Sequence, residues 1–342
     1  METVFIDGSF GEGGGQILRT SLALSCITGK NLHIENIRAA RRNPGLAKQH
    51  LSCVNAASQI CTGRCEGAAL GSMTLDFEPG SIRSGDYYFD IGSAGSTTLV
   101  IQTILPALFL ADKPSTVTVI GGTHNPLAPP YDFLCETFLP AIATAGFHGN
   151  CSLQKHGFYP AGGGKINFGI QPWEKQSDKI IDLCERSEQF EIHARIRIAK
   201  LPEYIAKRQE KLLLQSNLDI QRVECIEVAD SDGPGNCVMI RLCGTSRKTV
   251  FTAFGMKGRP SQEVVSEVVR TADDFLSSGS AVDYFLADQL LIYMALSKSG
   301  CFMTNQLSAH LLTNMEVIKK FLPVDFTIKQ QKQSSKVCCR PI

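Results

Sequence analysis

The order of secondary-structure elements constrains this chain more than any single motif does. Apolar periodicity predicts a strand at 3–7, a helix over about 14–28, a strand at 31–37 and, after the turn "NPG", a helix over 45–62. The segments "RCEGAAL" and "SMTLDFEP" then form a strand pair, so the unit reads βαβαββ. The same order returns: "DYYFDIG" as strand, a helix over about 95–111, "STVTVIGG" as strand, a helix over about 130–145, and strands near 147–156 and 164–170. A third copy is interrupted. Residues 178–183 supply its first strand, whereas its helices lie over about 281–299 and 308–321, with the strands "CFMT" and "VDFTIKQ". The stretch between reads βαβββα, a thioredoxin-like order. The expected fold is therefore α/β, of the α+β type. A large domain of three repeated units spans 1–183 and 280–342, and an inserted smaller domain spans 184–279. The final "KQQKQSSKVCCRPI" has little apolar patterning and reads as a frayed tail.

Composition narrows the class of partner. The 34 basic and 33 acidic side chains leave a formal charge of +1, so any polyanion site must be local. Thirteen cysteines are irregularly spaced behind no signal peptide, which favours reduced thiols and a cytoplasmic protein. Cys61 and Cys65 lack a second ligand pair for zinc, and Cys338 and Cys339 fall in the tail, so all four read as plain thiols. The insert has no Cys-x-x-Cys at a strand-to-helix turn, which argues against a redox role. The apolar run from Leu99 to Ala111 is broken by Gln102 and Pro106 and is too short to span a bilayer, so no membrane partner is expected.

Four clusters fall at turns or helix starts, where a rigid scaffold commonly presents functional groups. The first is "GEGGGQILRT", with Glu12, Gln16 and Arg19. Glycines ahead of a helix let backbone N–H groups approach an anion, yet the run matches neither familiar nucleotide loop and carries a carboxylate. Helix capping explains that acid equally well. The second is "IRAARRNPGLAKQHL". Arg38, Arg41, Arg42, Lys48 and His50 crowd there with no intervening acid, which favours an anion site over a solvated basic edge. The third comprises "DIGSAGSTTLVIQT" and "GGTHNPLAPPYD", small-residue and Pro-rich turns around Gln102 that say little alone. The fourth places Asp288 and Gln289 in an apolar helix and His310 at the start of another. A buried carboxylate needs a partner. His310 is either a structural histidine or a nucleophile whose pKa is lowered by the helix N-terminus, and spacing does not separate the two.

In order along the chain, "GEGGGQILRT", "IRAARRNPGLAKQHL", "GSAGSTTLVIQT", "GGTHNPLAPPYDF", "HGFYPAGGGK", "DSDGPGN", "LADQL" and "SAHLLTN" resemble the blocks of the RNA 3′-terminal phosphate cyclase family. The resemblance covers almost the whole chain. It implies a large domain of repeats like the C-terminal domain of translation initiation factor three, with a thioredoxin-like insertion. It also implies a reaction in which ATP adenylates a histidine, AMP passes to an RNA 3′-phosphate, and the 2′-hydroxyl closes a 2′,3′-cyclic phosphodiester. Residue by residue, His310 matches the adenylated histidine, and Glu12 matches the acid that attends Mg²⁺ or Mn²⁺. Arg19, Arg38, Arg41 and His50 match the pocket for phosphates of RNA or ATP, while Gln102, Pro129, Asp288 and Gln289 match positions around adenosine. The family commonly has a tyrosine three residues before this aspartate. Here Phe285 stands there beside Tyr284, keeping a π-face for adenine but losing the hydroxyl.

Three rival readings stay in view. A noncatalytic cyclase-like ribosome-assembly protein is expected to lack the histidine, which this chain keeps. An enolpyruvyl transferase, built from related repeats, needs no covalent histidine adenylate. A purely RNA-binding protein leaves Glu12, Gln102 and the Asp288–Gln289 pair without a task.

Overall fold

In the computed structural model, which describes residues 2–176, 179–186, 189–245 and 247–342, the first unit runs β1 (Thr3–Asp7), α1 (Gly15–Thr28), β2 (Asn31–Glu35), α2 (Lys48–Cys61), β3 (Arg64–Glu66) and β4 (Leu75–Glu78). The second begins with β5 (Asp86–Asp90), α3 (Thr97–Leu108) and β6 (Ser115–Gly121). Its next helical stretch starts as α4 (Tyr131–Phe133), widens into a π-turn at Leu134–Phe138 and closes as α5 (Leu139–Ala143), before β7 (Gly149–Lys155) and β8 (Gly164–Ile170). β9 (Asp182–Leu183) opens the third unit. Then come β10 (Glu191–Ala199), α6 (Tyr204–Leu214), β11 (Ile220–Glu227), β12 (Gly235–Cys243), β13 (Lys248–Phe254) and α7 (Ser261–Ser278). The third unit resumes with α8 (Tyr284–Ser297), β14 (Gly300–Thr304), α9 (Ala309–Phe321), β15 (Val324–Gln330) and β16 (Ser335–Pro341).

Three sheets share one topology: β1-β2-β4-β3, β5-β6-β8-β7 and β9-β14-β16-β15. In each, the first two strands are parallel and the others pair antiparallel. A parallel neighbour requires a crossover, which the intervening α-helix supplies in the first two units. In the third, the whole βαβββα stretch is accommodated within that crossover. Burial alternates along β1, β4 and β6, so one sheet face meets the helices while the other is wetter. Helices of different units pack on each other, α1 against α3 and α9, and α5 against α8, giving one continuous apolar core.

The intervening sheet, β11-β10-β12-β13, has a core of its own on one face. Ile192, Ala194, Ile196 and Ile198 of β10 share this core with α6 and with α7, whose Val264, Val268, Ala272 and Phe275 recur at helical spacing. The opposite face, with Cys237, Met239 and Val250, packs around Phe158 from the β7–β8 connection.

Two sequence expectations change. The "frayed tail" contains β16, which lies between β14 and β15 and buries Ser335, Val337 and Cys339. Its period-2 stretch is short, and its stability comes from ladders on both sides, which a local reading does not see. Register sets Cys301 opposite Cys338, and these form a disulfide; Cys135 and Cys151 form a second. The expectation of uniformly reduced thiols thus fails for four residues, because strand register and helix packing bring together cysteines that are remote in sequence. Cys61 and Cys65 are free. The third unit's opening strand is only Asp182–Leu183, and residue 178 of the expected strand lies outside the described residues. Among the described residues, no helix is long and apolar enough to cross a membrane.

Candidate active site

Three helices present their N-terminal ends to one place. α1 follows the glycine run, α2 begins at Lys48, and α9 begins at Ala309 with Ser308 as its cap, Ser308 Oγ accepting from Leu311 N at 3.1 Å. The glycines are needed for close approach. Gly11 has φ +58 and lies where a Cβ would strike Thr313 Oγ1, and a Cβ at Gly15 would strike His50 Nε2. Thr313 also accepts from Glu12 N at 3.0 Å, tying the loop of the first unit to α9 of the third.

His310 stands on the first turn of α9. Its Nδ1 is 2.5 Å from Gln16 Oε1, while Gln16 Nε2 donates to Asp288 Oδ2. That second bond sets the first: with its amide nitrogen spent on the carboxylate, Gln16 turns its carbonyl oxygen to the histidine, so Nδ1 carries the proton. Nε2 is left with a bare lone pair. The imidazole is half exposed, and burial, then the charges of Arg19 and Arg41, hold its pKa below the usual value. The residue is neutral at neutral pH, as a nucleophile must be. Asp288 is half-buried; burial pushes its carboxyl up to about 7 against the opposing pull of Gln16 and Arg19. Asn314 Nδ2 donates to the Asp288 carbonyl at 2.8 Å.

Cations surround this histidine. Arg19 lies near Asp288 and His310, is stripped of water enough to lower its pKa, and makes no side-chain hydrogen bond or ion pair among the described residues. Arg38 donates to the Gly45 carbonyl at 2.6 Å and lies close enough to His50 to depress its pKa. Burial first, then Arg19 and Arg38, bring His50 down to about 3. Its Nδ1 accepts from Ala47 N at 3.2 Å, so Nε2–H is a neutral donor on the side of Gly15 and Arg19. Arg41 pairs with Glu12 Oε1 and also reaches the Glu12 carbonyl at 3.3 Å. Arg42 and Lys48 are exposed; Lys48 Nζ is 3.5 Å from the Gly92 carbonyl. Such a surplus of donors and positive charge suits an anion with several oxygens.

A second group adjoins the first along α8. Gln102 Nε2 on α3 donates to Gln289 Oε1, and Gln289 Nε2 donates to the Phe285 carbonyl at 2.6 Å. Phe285 is 45% exposed, Tyr284 is less so, and their ring centroids are 4.0 Å apart. Phe285 is thus the more accessible ring. The Pro129 carbonyl accepts from Thr98 Oγ1 at 2.6 Å, which holds that proline over the first turn of α3, one turn before Gln102. Of the residues singled out in the sequence, Glu12, Arg19, Arg38, Arg41, His50, Asp288 and His310 fall in the first group and Gln102, Pro129, Tyr284, Phe285 and Gln289 in the second, whereas Arg42 and Lys48 are exposed outside both. Gln16, named there only as part of its loop, is the residue whose weight was missed. Its spacing from Arg19 places both on one side of α1, but its partners come from α8 and α9.

Glu12 Oε2 is buried without a hydrogen-bond partner among the described residues and lies 3.8 Å from His310 Nδ1. A hard divalent cation fits such an oxygen. Among the described residues, no cluster of three His, Cys, Asp or Glu could hold a metal unaided. The donor set therefore fits an ion bound by one carboxylate, with substrate oxygens and water completing its shell.

Repeated α/β units and a histidine ringed by helix termini and arginines define an α/β protein with a cationic, donor-rich site suited to an anion. Comparison with known proteins makes this specific: residues 10–328 match the family model described as RNA 3′-terminal phosphate cyclase. Relatives called RNA 3′-terminal phosphate cyclase include those of Koribacter versatilis, 45% identical over 98% of this chain and 95% of that protein, and Ralstonia nicotianae, 44% over 97% and 95%. That of Salmonella agona is 42% identical over 98% and 96%. The chain belongs to the RNA 3′-terminal phosphate cyclase family and is an enzyme of that class.

Proposed function

We propose that this enzyme uses ATP to convert an RNA 3′-phosphate into a 2′,3′-cyclic phosphodiester through a histidine adenylate. The bare Nε2 of His310, inside a ring of incompletely paired cations, carries the reading. Nε2 attacks the α-phosphorus of ATP, forming the N–P bond as pyrophosphate leaves. A 3′-phosphate oxygen of RNA then takes the AMP, freeing His310. The RNA 2′-hydroxyl finally attacks the activated phosphorus, releasing AMP and its own proton. A phosphate dianion is a poor electrophile until adenylation gives it a leaving group, and the last step gains from a hydroxyl already beside the phosphorus.

Arg19, Arg38, Arg41 and the Nε2–H of His50 bind the phosphates, while Gln16 fixes the tautomer and orientation of His310. Gln102, Pro129, Asp288 and Gln289 surround the adenosine, and Phe285, flanked by Tyr284, offers the stacking face. Glu12 would hold Mg²⁺ or Mn²⁺, which supplies neutralisation of phosphate charge. In this reading residues 184–279 are an inserted domain, residues 1–183 and 280–342 carry the site, and the enzyme works in the cytoplasm. The near-zero net charge fits contact confined to the RNA end, with little dependence on sequence.

The test is incubation with α-labelled ATP and a divalent cation. Wild type should become labelled and His310→Asn should not; an unlabelled wild type, or equal labelling of both, rejects the proposal. Glu12→Ala should label poorly at limiting metal and partly recover as metal is raised. Normal labelling at limiting metal removes Glu12 from the role.

A further inference from the structure

A second charged cluster joins the βαβββα unit to the second repeat. Asp132, only 2% exposed, accepts from Arg197 through both terminal nitrogens, Nη2 to Oδ1 at 2.9 Å and Nη1 to Oδ2 at 3.0 Å. Arg195 Nη1 adds a third bond to Oδ1 at 3.0 Å, and His124 Nε2 lies 3.0 Å from Oδ2. Arg195 and Arg197 lie on β10, and His124 and Asp132 on the β6–α4 segment. Neighbouring contacts extend the join. Arg241 binds Glu136 at 2.6 Å within the π-turn, and Thr137 Oγ1 there accepts from Val250 N at 3.1 Å. A π-turn shifts side chains relative to a regular helix, and such turns often accompany functional sites.

What Asp132 carries is the turn that holds Pro129. Only Pro130 and Tyr131 separate the two residues. Tyr131 N donates to the Thr123 carbonyl at 3.0 Å, Thr123 Oγ1 is 2.8 Å from His124 Nδ1, and Asn125 Nδ2 donates to the Ala94 carbonyl. The connection from 123 to 132 is thus pinned at three places: to the loop before α3, to α3 itself through Pro129, and to β10 through Asp132. Between the pins, Leu127 is fully exposed with φ +63, a left-handed conformation uncommon for a residue other than glycine.

We propose that Arg197, assisted by Arg195, is a positioning residue for the nucleotide: by gripping Asp132 it sets the place of the Pro129–Pro130 turn beside α3. This assigns the βαβββα unit a part in ATP binding although none of its described residues joins the histidine network. It rests on the reading of Pro129 as an adenosine contact. A bidentate guanidinium fixes both the distance and the orientation of a carboxylate, which an ammonium does not. Arg197→Lys keeps the charge and relaxes the geometry, which makes it the informative variant; Arg197→Ala also strands a buried carboxylate.

The experiment measures His310 adenylation at varied ATP for wild type, Arg197→Lys, Pro129→Ala and the double variant, with amide exchange over residues 123–131. For Arg197→Lys we expect KM for ATP to rise about tenfold with kcat within about twofold, and this rise to shrink severalfold in the Pro129→Ala background, because the two residues act through one shared turn and so couple. Lys155→Ala, which removes a more exposed ion pair of the same join, to Asp232 at 2.7 Å, should leave KM unchanged. An unchanged KM in Arg197→Lys, or effects of Arg197→Lys and Pro129→Ala that add, overturns the proposal. If wild type fails to adenylate at all, the proposed reaction fails separately. Exchange then decides the positioning role: faster exchange at 123–131 in Arg197→Lys supports it, and unchanged exchange overturns it.

Discussion

The two charged clusters use the same residue types and differ in what is left over. Around Asp132, arginines meet carboxylates: Arg195 with Asp132, Glu136 and Glu224, Arg197 with Asp132, and Arg241 with Glu136. Around His310, among the described residues, Arg19 has no hydrogen-bonded partner and one oxygen of Glu12 is idle, while Arg41 is paired on an exposed edge. A cluster whose carboxylates are all bound by arginines holds structure together, although Arg197 Nε finds no partner among the described residues; one with charge left over is prepared for a partner from outside. The carboxylates show the same divide. Although burial opposes it, hydrogen bonds and charge from His124 and Arg197 hold the Asp132 carboxyl far below the usual range, whereas burial dominates at Asp288 and raises it to about 7.

The largest effect should come from His310→Asn, with loss of covalent AMP and unchanged thermal stability. Equal loss of stability would make His310 a structural residue and erase the contrast. Asp132→Ala should behave oppositely, costing about 3–5 kcal/mol in denaturant unfolding, because it leaves Arg197 buried without its partner. A cost below about 1 kcal/mol would mean that water replaces the carboxylate, and the self-satisfied description would fail. Arg19→Ala should reduce adenylation by about 10²–10³-fold, the scale of removing one preorganised charge stabiliser. Its stability should hold or rise, since a desolvated cation without a partner is removed. A marked fall in stability would show that Arg19 is a structural ion.

The smallest effects separate the two carboxylates by sign. The folded pKa of Asp288 lies above the unfolded value near 3.8, so its contribution is fully present below about pH 4 and is lost as pH rises through about 7. Asp288→Asn should therefore be slightly more stable than wild type at pH 8 and should converge with it below pH 4. The folded pKa of Asp132 is depressed, so its contribution is present above about pH 4 and is lost as pH falls further. The deficit of Asp132→Asn should accordingly be full at pH 7 and shrink in acid. Parallel pH profiles for the two variants would contradict the opposite signs.

Much of the architecture is legible from local periodicity. α1, α3 and α9 carry apolar residues at helical spacing and β6 and β8 alternate, so the βαβαββ order of the first two units can be read before any contact is known. β16 escaped because its alternation is brief and follows a polar run, whereas β9 was expected within 178–183 and forms only over Asp182–Leu183. In the site, the glycine loop, the arginine run and His310 stand out by type. The weight of Gln16 did not, since a glutamine on a helix reveals nothing until its partners arrive. Arg195 and Arg197 alternate along β10, and nothing near them in sequence reveals that their partner is Asp132.

By itself the sequence determined the repeated element order, the stretch that interrupts its third copy, and the inventory of charged and small residues at the turns. These depend on neighbours a few residues apart, through helix and strand periods and the freedom of glycine. Tertiary structure alone decided which charges are paired. His310 and Gln16 are 294 positions apart and Arg197 and Asp132 are 65 apart, so their hydrogen bonds exist only once the units have packed. Whether an arginine braces a wall or waits for a phosphate depends on what burial places beside it, because desolvation and pairing act on the assembled surroundings.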